Sequence, residues 1–249
     1  ALDEYLKILT EPAFENIHTI KISYNSVRPK GERLKTFGGT ASGHEPLKEM
    51  FEGIDKVLKN KMDPFLSPIE TDEKGYGYVR PIHILDIVNL IDANVVVGRV
   101  CRTAEIFLFD ADDYEVMLAK YGINGIWNED QHKTVIKKLE KLGRQKEADY
   151  LKRLPVNDPN ARPLHHRRMS NNSIWFEKKP SKEEFDLIIE LLKAEGEPGF
   201  GNAEAARKRR PNAEGVNPCF EILLDSKQVC NLTTVNVRAF VVEDKNGNY

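Results

Sequence analysis

Cysteine is scarce in this 249-residue chain, which has three: Cys101, Cys219 and Cys230. An odd, small number excludes a disulfide-stapled framework and points to a reducing compartment, here the cytoplasm. Long apolar runs are missing as well. The longest candidate, "ILDIVNLIDANVVVG" (84–98), is interrupted by Asp86, Asn89, Asp92 and Asn94. It falls short of the ~20 residues a membrane span needs and reads as a buried helix. There is no surplus of either charge: the net charge is −2, so nothing global favours nucleic acid or an anionic membrane as a partner. No basic n-region precedes an apolar stretch, so no signal peptide is expected. "ALDEYLKIL" begins inside an amphipathic helix and "VVEDKNGNY" stops just past an expected strand. Both ends read as cut, and the chain is expected to be a piece of a longer protein. Internal repeats and low-complexity tracts are absent.

What is present is an alternation of strand and helix patterns. Leu2, Tyr5, Leu6 and Leu9 make a helical face ending before Pro12, and residues 15–24 alternate from Ile17 as a strand would. Pro46 suits the first turn of a helix over 46–60, and Pro81 opens a second, to about Val100. "AEIFLF" (104–109) and "SNNSIWF" (170–176) read as strands, and an acid-capped "DADDYEVMLAKYG" as a short helix. Between those two strands, 128–154 is highly charged with a narrow stripe of Val135, Leu139 and Leu142, which predicts an exposed helical hairpin. "SKEEFDLIIELLKAEG" carries a capping box, Ser181 with Glu184, and a terminal Gly196. Further strands are expected at 220–224 and 232–242. Strands separated by helices indicate an α/β protein with a largely parallel sheet or barrel.

Several stretches could carry chemistry. "FGGTASG" (37–43) can cradle a phosphate through main-chain N–H groups or form a tight structural turn, and its local chemistry favours the turn. It lacks the Gly-Lys-Ser/Thr of a Walker motif. "LHHRR" (164–168) offers adjacent histidines that point apart on a strand, so a solvated basic loop meeting an anionic ligand fits better than a metal site. "AARKRRPN" (205–212) has no interleaved aromatics, which disfavours a nucleic-acid patch. Cys219 and Cys230 lack C-x-x-C spacing and no histidine follows them, so zinc is disfavoured. Cys101 reads as an inert core residue. Cys219 differs, with Asn217 and Glu221 two residues to either side. A carboxylate there disfavours a thiolate nucleophile and leaves room for a neutral thiol in radical chemistry.

"NPCFEI" followed by "VCNLTTVN" resembles the active-site loop of the catalytic subunit of ribonucleotide reductases. "VRPKGERLKTFGGTASG" (27–43), "HHRRMSNNS" (165–173) and "GEPGF" (196–200) agree in order along the chain. The wording is similar to the adenosylcobalamin-dependent class, and within it the single-chain ribonucleoside-triphosphate reductases. The resemblance implies a ten-stranded α/β barrel with the Cys219 loop as a central finger. It implies that residues 1–249 are a partial barrel domain truncated at both ends, with a helical insertion at 124–161. By the same resemblance, Cys219 carries the thiyl radical that takes the ribose 3′-hydrogen, and Glu221 takes the 3′-hydroxyl proton. Asn217 orients the ribose, and Cys230 is one of two thiols that supply the electrons. Arg167, Arg168, Ser170 and Asn171 fall on the loop joining effector and substrate sites, and "FGGTASG" falls near the other effector-side loop. Adenosylcobalamin is the implied cofactor. A ribonucleoside triphosphate or diphosphate, a deoxynucleotide effector and a thioredoxin-like reductant are the implied partners. The second redox cysteine and the later strands have no counterpart here, so this piece alone is expected to be inactive. Another reductase class or radical barrel enzyme, or a non-catalytic nucleotide-binding regulator of the same fold, are the alternative expectations.

Overall fold

A computed structural model describes residues 1–35, 39–95, 103–123, 128–155, 164–231 and 233–241. Cys101, which was expected to have no role, residues 96–100, for which helix was expected, the first residues of "FGGTASG" and both ends of the expected 124–161 insertion lie outside these. The described elements run in the order helix α1 (Leu2–Thr10), α2 (Glu45–Leu58), α3 (Pro81–Val95), strand β1 (Glu105–Phe109), α4 (Tyr114–Met117), α5 (Glu129–Lys141), α6 (Gln145–Arg153), β2 (Ser170–Phe176), α7 (Lys182–Glu195), β3 (Gly199–Asn202), α8 (Ala203–Arg209), β4 (Gly215–Val216) and β5 (Leu223–Leu224).

The fold is mixed α/β. Strands β1, β2 and β3 form a parallel sheet in that order, with Glu105 opposite Ser170 and Ser173 opposite Gly199. Parallel neighbours need a crossover: α4, α5 and α6 lie between β1 and β2, and α7 between β2 and β3. Strand β2 is central and buried on both faces, with Asn171 as its one exposed residue. Successive side chains on a strand alternate, so Ile174 and Phe176 join one core with Phe109, Leu187, Ile188 and Leu191. Trp175 points to the other face, into a smaller core with Ala203, Ala206 and Val216, against Ile106, Leu108 and Leu223. A third cluster packs Tyr5, Met50, Phe51 and Ile54 against Ile87, Leu90 and Ile91 of α3.

Local signals set the helix ends. Ser181 Oγ accepts from the Glu184 N–H and the Glu184 carboxylate accepts from the Ser181 N–H, while Gly196 closes α7 in the left-handed conformation. Asp113 caps α4 by accepting from the Val116 N–H. Four expectations need correction. Residues 17–24 form no strand; Ile20 and Ile22 alternate because one side of an extended segment packs on α1 and α2. Only Leu223–Leu224 of the expected 220–224 strand pairs, and Val237–Phe240 is a 3-10 turn where a strand was expected. The 128–154 hairpin forms, yet its stripe is not a minor contact. Val135, Leu139, Ala148 and Leu151 are fully buried in the main core, so these helices help cover the sheet and only their charged sides are exposed.

Candidate active site

The segment around Cys219 is the tip of a β-hairpin. Strands β4 and β5 pair antiparallel, Gly215 with Leu224 and Val216 with Ile222's neighbour Leu223. Asn217 makes the turn: its buried Oδ1 accepts the N–H groups of Glu221 at 3.1 Å and Ile222 at 3.0 Å. Its main-chain oxygen accepts from the Phe220 N–H at 2.8 Å. An Asn side chain that bonds its own downstream backbone is a strong local turn signal. Phe220 sits at φ +68°, in the left-handed region that a bulky residue seldom occupies. Such backbone persists where neighbours over-determine it, and here they do. Cys219 and Glu221 flank Phe220 and are both exposed.

The face of β2 that carries Asn171 and Trp175 holds this tip in place. Asn171 Nδ2 donates to the Pro218 carbonyl at 2.7 Å. The Phe220 ring lies 6.3 Å from that of Trp175. Gly201 lets both rings approach, since a Cβ there would stand 2.6 Å from Phe220 Cζ and 2.7 Å from Trp175 Cζ3. A cavity of about 310 Å³ beside the tip is lined by Trp175, Asn202, Arg209, Phe220 and Glu221 among others. At the far end of the hairpin, Arg210 Nε donates to Asp225 Oδ1 at 2.5 Å. Arg207 pairs with Glu177 and Lys208 with Glu204, so carboxylates meet the basic run of 205–212.

The "HHRR" stretch is not the solvated basic loop expected of it. It is a 3-10 turn whose Arg167 is fully buried. Arg167 donates from Nε and Nη2 to the two carboxylate oxygens of Asp86 at 2.6 and 2.8 Å, and from Nη1 to Asp63 and the Ala119 carbonyl. His166 Nε2 is 2.8 Å from Asp86, and Tyr150 donates to Asp63. Burial pushes the Asp86 carboxyl up, and the Arg167 charge overrides it, holding Asp86 well below the usual carboxylate range. Arg168 is exposed. Ser170 is buried, its N–H donating to Asn89 Oδ1 at 2.9 Å and its hydroxyl to Asn172. Glu197 of "GEPGF" accepts from Lys120 and from the Asn172 N–H. Asp63 escaped the sequence reading, which took Asp86 and Asn89 only as breaks in an apolar run. Their signal was present in α3, where Asp86, Asn89 and Asp92 recur every third residue on an otherwise apolar helix.

The structure therefore brings Asn217, Cys219 and Glu221 together on one turn and ties Asn171 to it. Cys230 is exposed, on the stretch after β5, and is a free thiol like Cys219. Arg167 and Ser170 are committed to buried contacts. Among the described residues no group of three or more His, Cys, Asp or Glu side chains could hold a metal ion. None of their helices is long and apolar enough to cross a membrane. The described part of "FGGTASG" pairs with the segment before it: the Leu34 N–H donates to the Gly39 carbonyl and Thr40 bridges Arg33.

Residues 9–58 match the family model described as "B12-dependent ribonucleotide reductase, insertion domain". The chain is 31% identical over 225 residues to the adenosylcobalamin-dependent ribonucleoside-triphosphate reductase of Lacticaseibacillus paracasei, which covers 86% of this chain and 23% of that protein. It is 28% identical to the enzyme of the same name from Lactobacillus helveticus and 29% to that of Lactobacillus leichmannii, with the same shares covered. The chain thus spans about a quarter of the length of these relatives. The resemblance read from the motifs holds across most of the chain. No solved structure matches it. The matched residues run from the end of α1 to the end of α2.

Proposed function

We propose that this chain is a segment of an adenosylcobalamin-dependent reductase that converts ribonucleoside triphosphates to deoxyribonucleotides. The observation that carries the reading is the meeting of two motifs: the Asn-Pro-Cys-Phe-Glu turn is gripped by Asn171 of the "SNNS" strand. On this reading the three parallel strands belong to a ten-stranded α/β barrel. The exposed Val229, Val235, Val237 and Phe240 are then residues that the rest of the barrel covers, and the hairpin is its central finger.

Replacing a 2′-hydroxyl by hydrogen consumes two electrons and two protons and releases water. A pair of thiols oxidised to a disulfide supplies both. Cys230 is one of that pair, and a thioredoxin-like dithiol resets it. Cys219, as a thiyl radical, takes the 3′-hydrogen atom and later returns it, so it leaves the reduction as the thiyl radical it began as and supplies no net electrons. Glu221 accepts the 3′-hydroxyl proton. Asn217 spends its amide oxygen on the turn, which leaves Nδ2–H to donate to a ribose hydroxyl. An accessible thiol on a braced tip suits a cofactor-generated radical, and adenosylcobalamin, when bound, supplies that initiation. Arg168 falls on the loop where a nucleotide effector and the substrate base are read, while Asn171 of the same loop is committed to the Pro218 carbonyl, and the enzyme works in the cytoplasm.

The test uses the full-length protein with adenosylcobalamin, a ribonucleoside triphosphate and a dithiol. Deoxyribonucleotide formation without a second subunit is expected, and none from the 249-residue chain alone. A folded full-length protein that forms no deoxyribonucleotide under these conditions overturns the reading.

A further inference from the structure

We propose that Asn171 is a positioning residue for the Cys219 thiol. The inference rests on the functional reading above and adds a part to it that neither the motifs nor the relatives supply. Asn171 is the one exposed residue of a strand otherwise buried along its length. An exposed amide on such a strand ordinarily meets water. This one donates from Nδ2 to the Pro218 carbonyl at 2.7 Å, across 47 residues of sequence.

The choice of acceptor matters. The Pro218 carbonyl and the Cys219 nitrogen share one planar peptide unit, so holding that oxygen orients the plane from which the Cys219 Cα emerges. Downstream, Phe220 fixes the other side of Cys219 through its left-handed backbone and its contact with Trp175. The cysteine is thus held between two anchors that both stand on one face of β2. The platform beneath is stiff. Ser170 is bonded to Asn89 of α3 and to Asn172, and the Asn172 N–H donates to Glu197 at 3.2 Å. A reacting atom displaced by about 1 Å costs on the order of 10²-fold in rate, which is the scale on which such a clamp acts.

The test compares Asn171→Asp, Asn171→Ala and Asn171→Gln in the full-length protein. Asp keeps the shape and replaces the donor with an acceptor that repels the Pro218 oxygen; Gln keeps an amide donor. Expected are a fall in kcat on the order of tenfold to a hundredfold for Asp and Ala, a smaller fall for Gln, and an unchanged KM. Alkylation of Cys219 by iodoacetamide, followed by mass spectrometry, should speed up several-fold for Asp and Ala. A wild-type kcat in Asn171→Asp overturns the proposal. So does a loss confined to KM or to the effector response with alkylation unmoved, which would make Asn171 a ligand contact. Retained activity in Cys219→Ser would instead overturn the functional reading, and the alkylation rates would still decide whether Asn171 grips the loop.

Discussion

Arg167 and Asp86 face each other through two parallel hydrogen bonds, at 2.6 and 2.8 Å, with neither side chain reaching solvent. The pair joins α3 to the turn that starts β2, and so to the strand on which the Cys219 hairpin rests. Bidentate guanidinium–carboxylate geometry makes it one of the stronger charge-assisted contacts. Its loss is costly because a desolvated carboxylate is left behind.

Arg167→Met should therefore destabilise the protein by about 3–5 kcal/mol, the range for breaking one side of a buried pair. Urea unfolding measures this. A loss below about 1 kcal/mol would mean that Asp86 finds another partner or takes up a proton.

A second prediction concerns acid. His83 Nδ1 accepts from the Arg80 N–H at 3.1 Å, and its Nε2 faces Asn60 Oδ1 at 3.2 Å, an arrangement that needs the neutral ring with a proton on Nε2. Burial and then the Arg80 charge push its pKa down to about 4, against the opposing pull of Asp86. An unfolded histidine titrates near ~6.5, so between these values the unfolded chain binds a proton that the folded one refuses. Stability present at neutral pH should be lost as pH falls from about 6.5 toward about 4. His83→Gln should flatten the melting temperature across that window. An equally steep decline in His83→Gln would assign the acid sensitivity elsewhere.

Gly201→Ala tests the packing under the hairpin tip. The added methyl would meet two aromatic rings at 2.6 and 2.7 Å, and overpacking of this kind costs about 1–3 kcal/mol. The expected result is a lower melting temperature together with faster alkylation of Cys219, because Phe220 must move. Unchanged values of both would show that the tip does not depend on this contact.

What the chain disclosed of its own structure followed the range of the interactions. Ser181, Glu184 and Gly196 bound α7 through contacts within a few residues, and such signals are readable by eye. Ile20 and Ile22 misled because alternation reports one buried side, whether or not a neighbouring strand completes a ladder. The Asn217 turn was readable as polar groups around a sulfur, though not as a hairpin tip. Arg167 was read as solvated because its partners lie 81 and 104 residues away. The same holds for Asn171 and Pro218, whose motifs could be recognised separately while their contact depends on the crossover that α7 completes.

The central claim is that the thiol at the hairpin tip carries the radical. The most direct test is Cys219→Ser in the full-length protein, assayed for deoxyribonucleotide formation with cofactor and dithiol and checked for fold by circular dichroism. A native fold with no detectable product is the result predicted. Turnover by Cys219→Ser at a rate comparable to the wild type would contradict it.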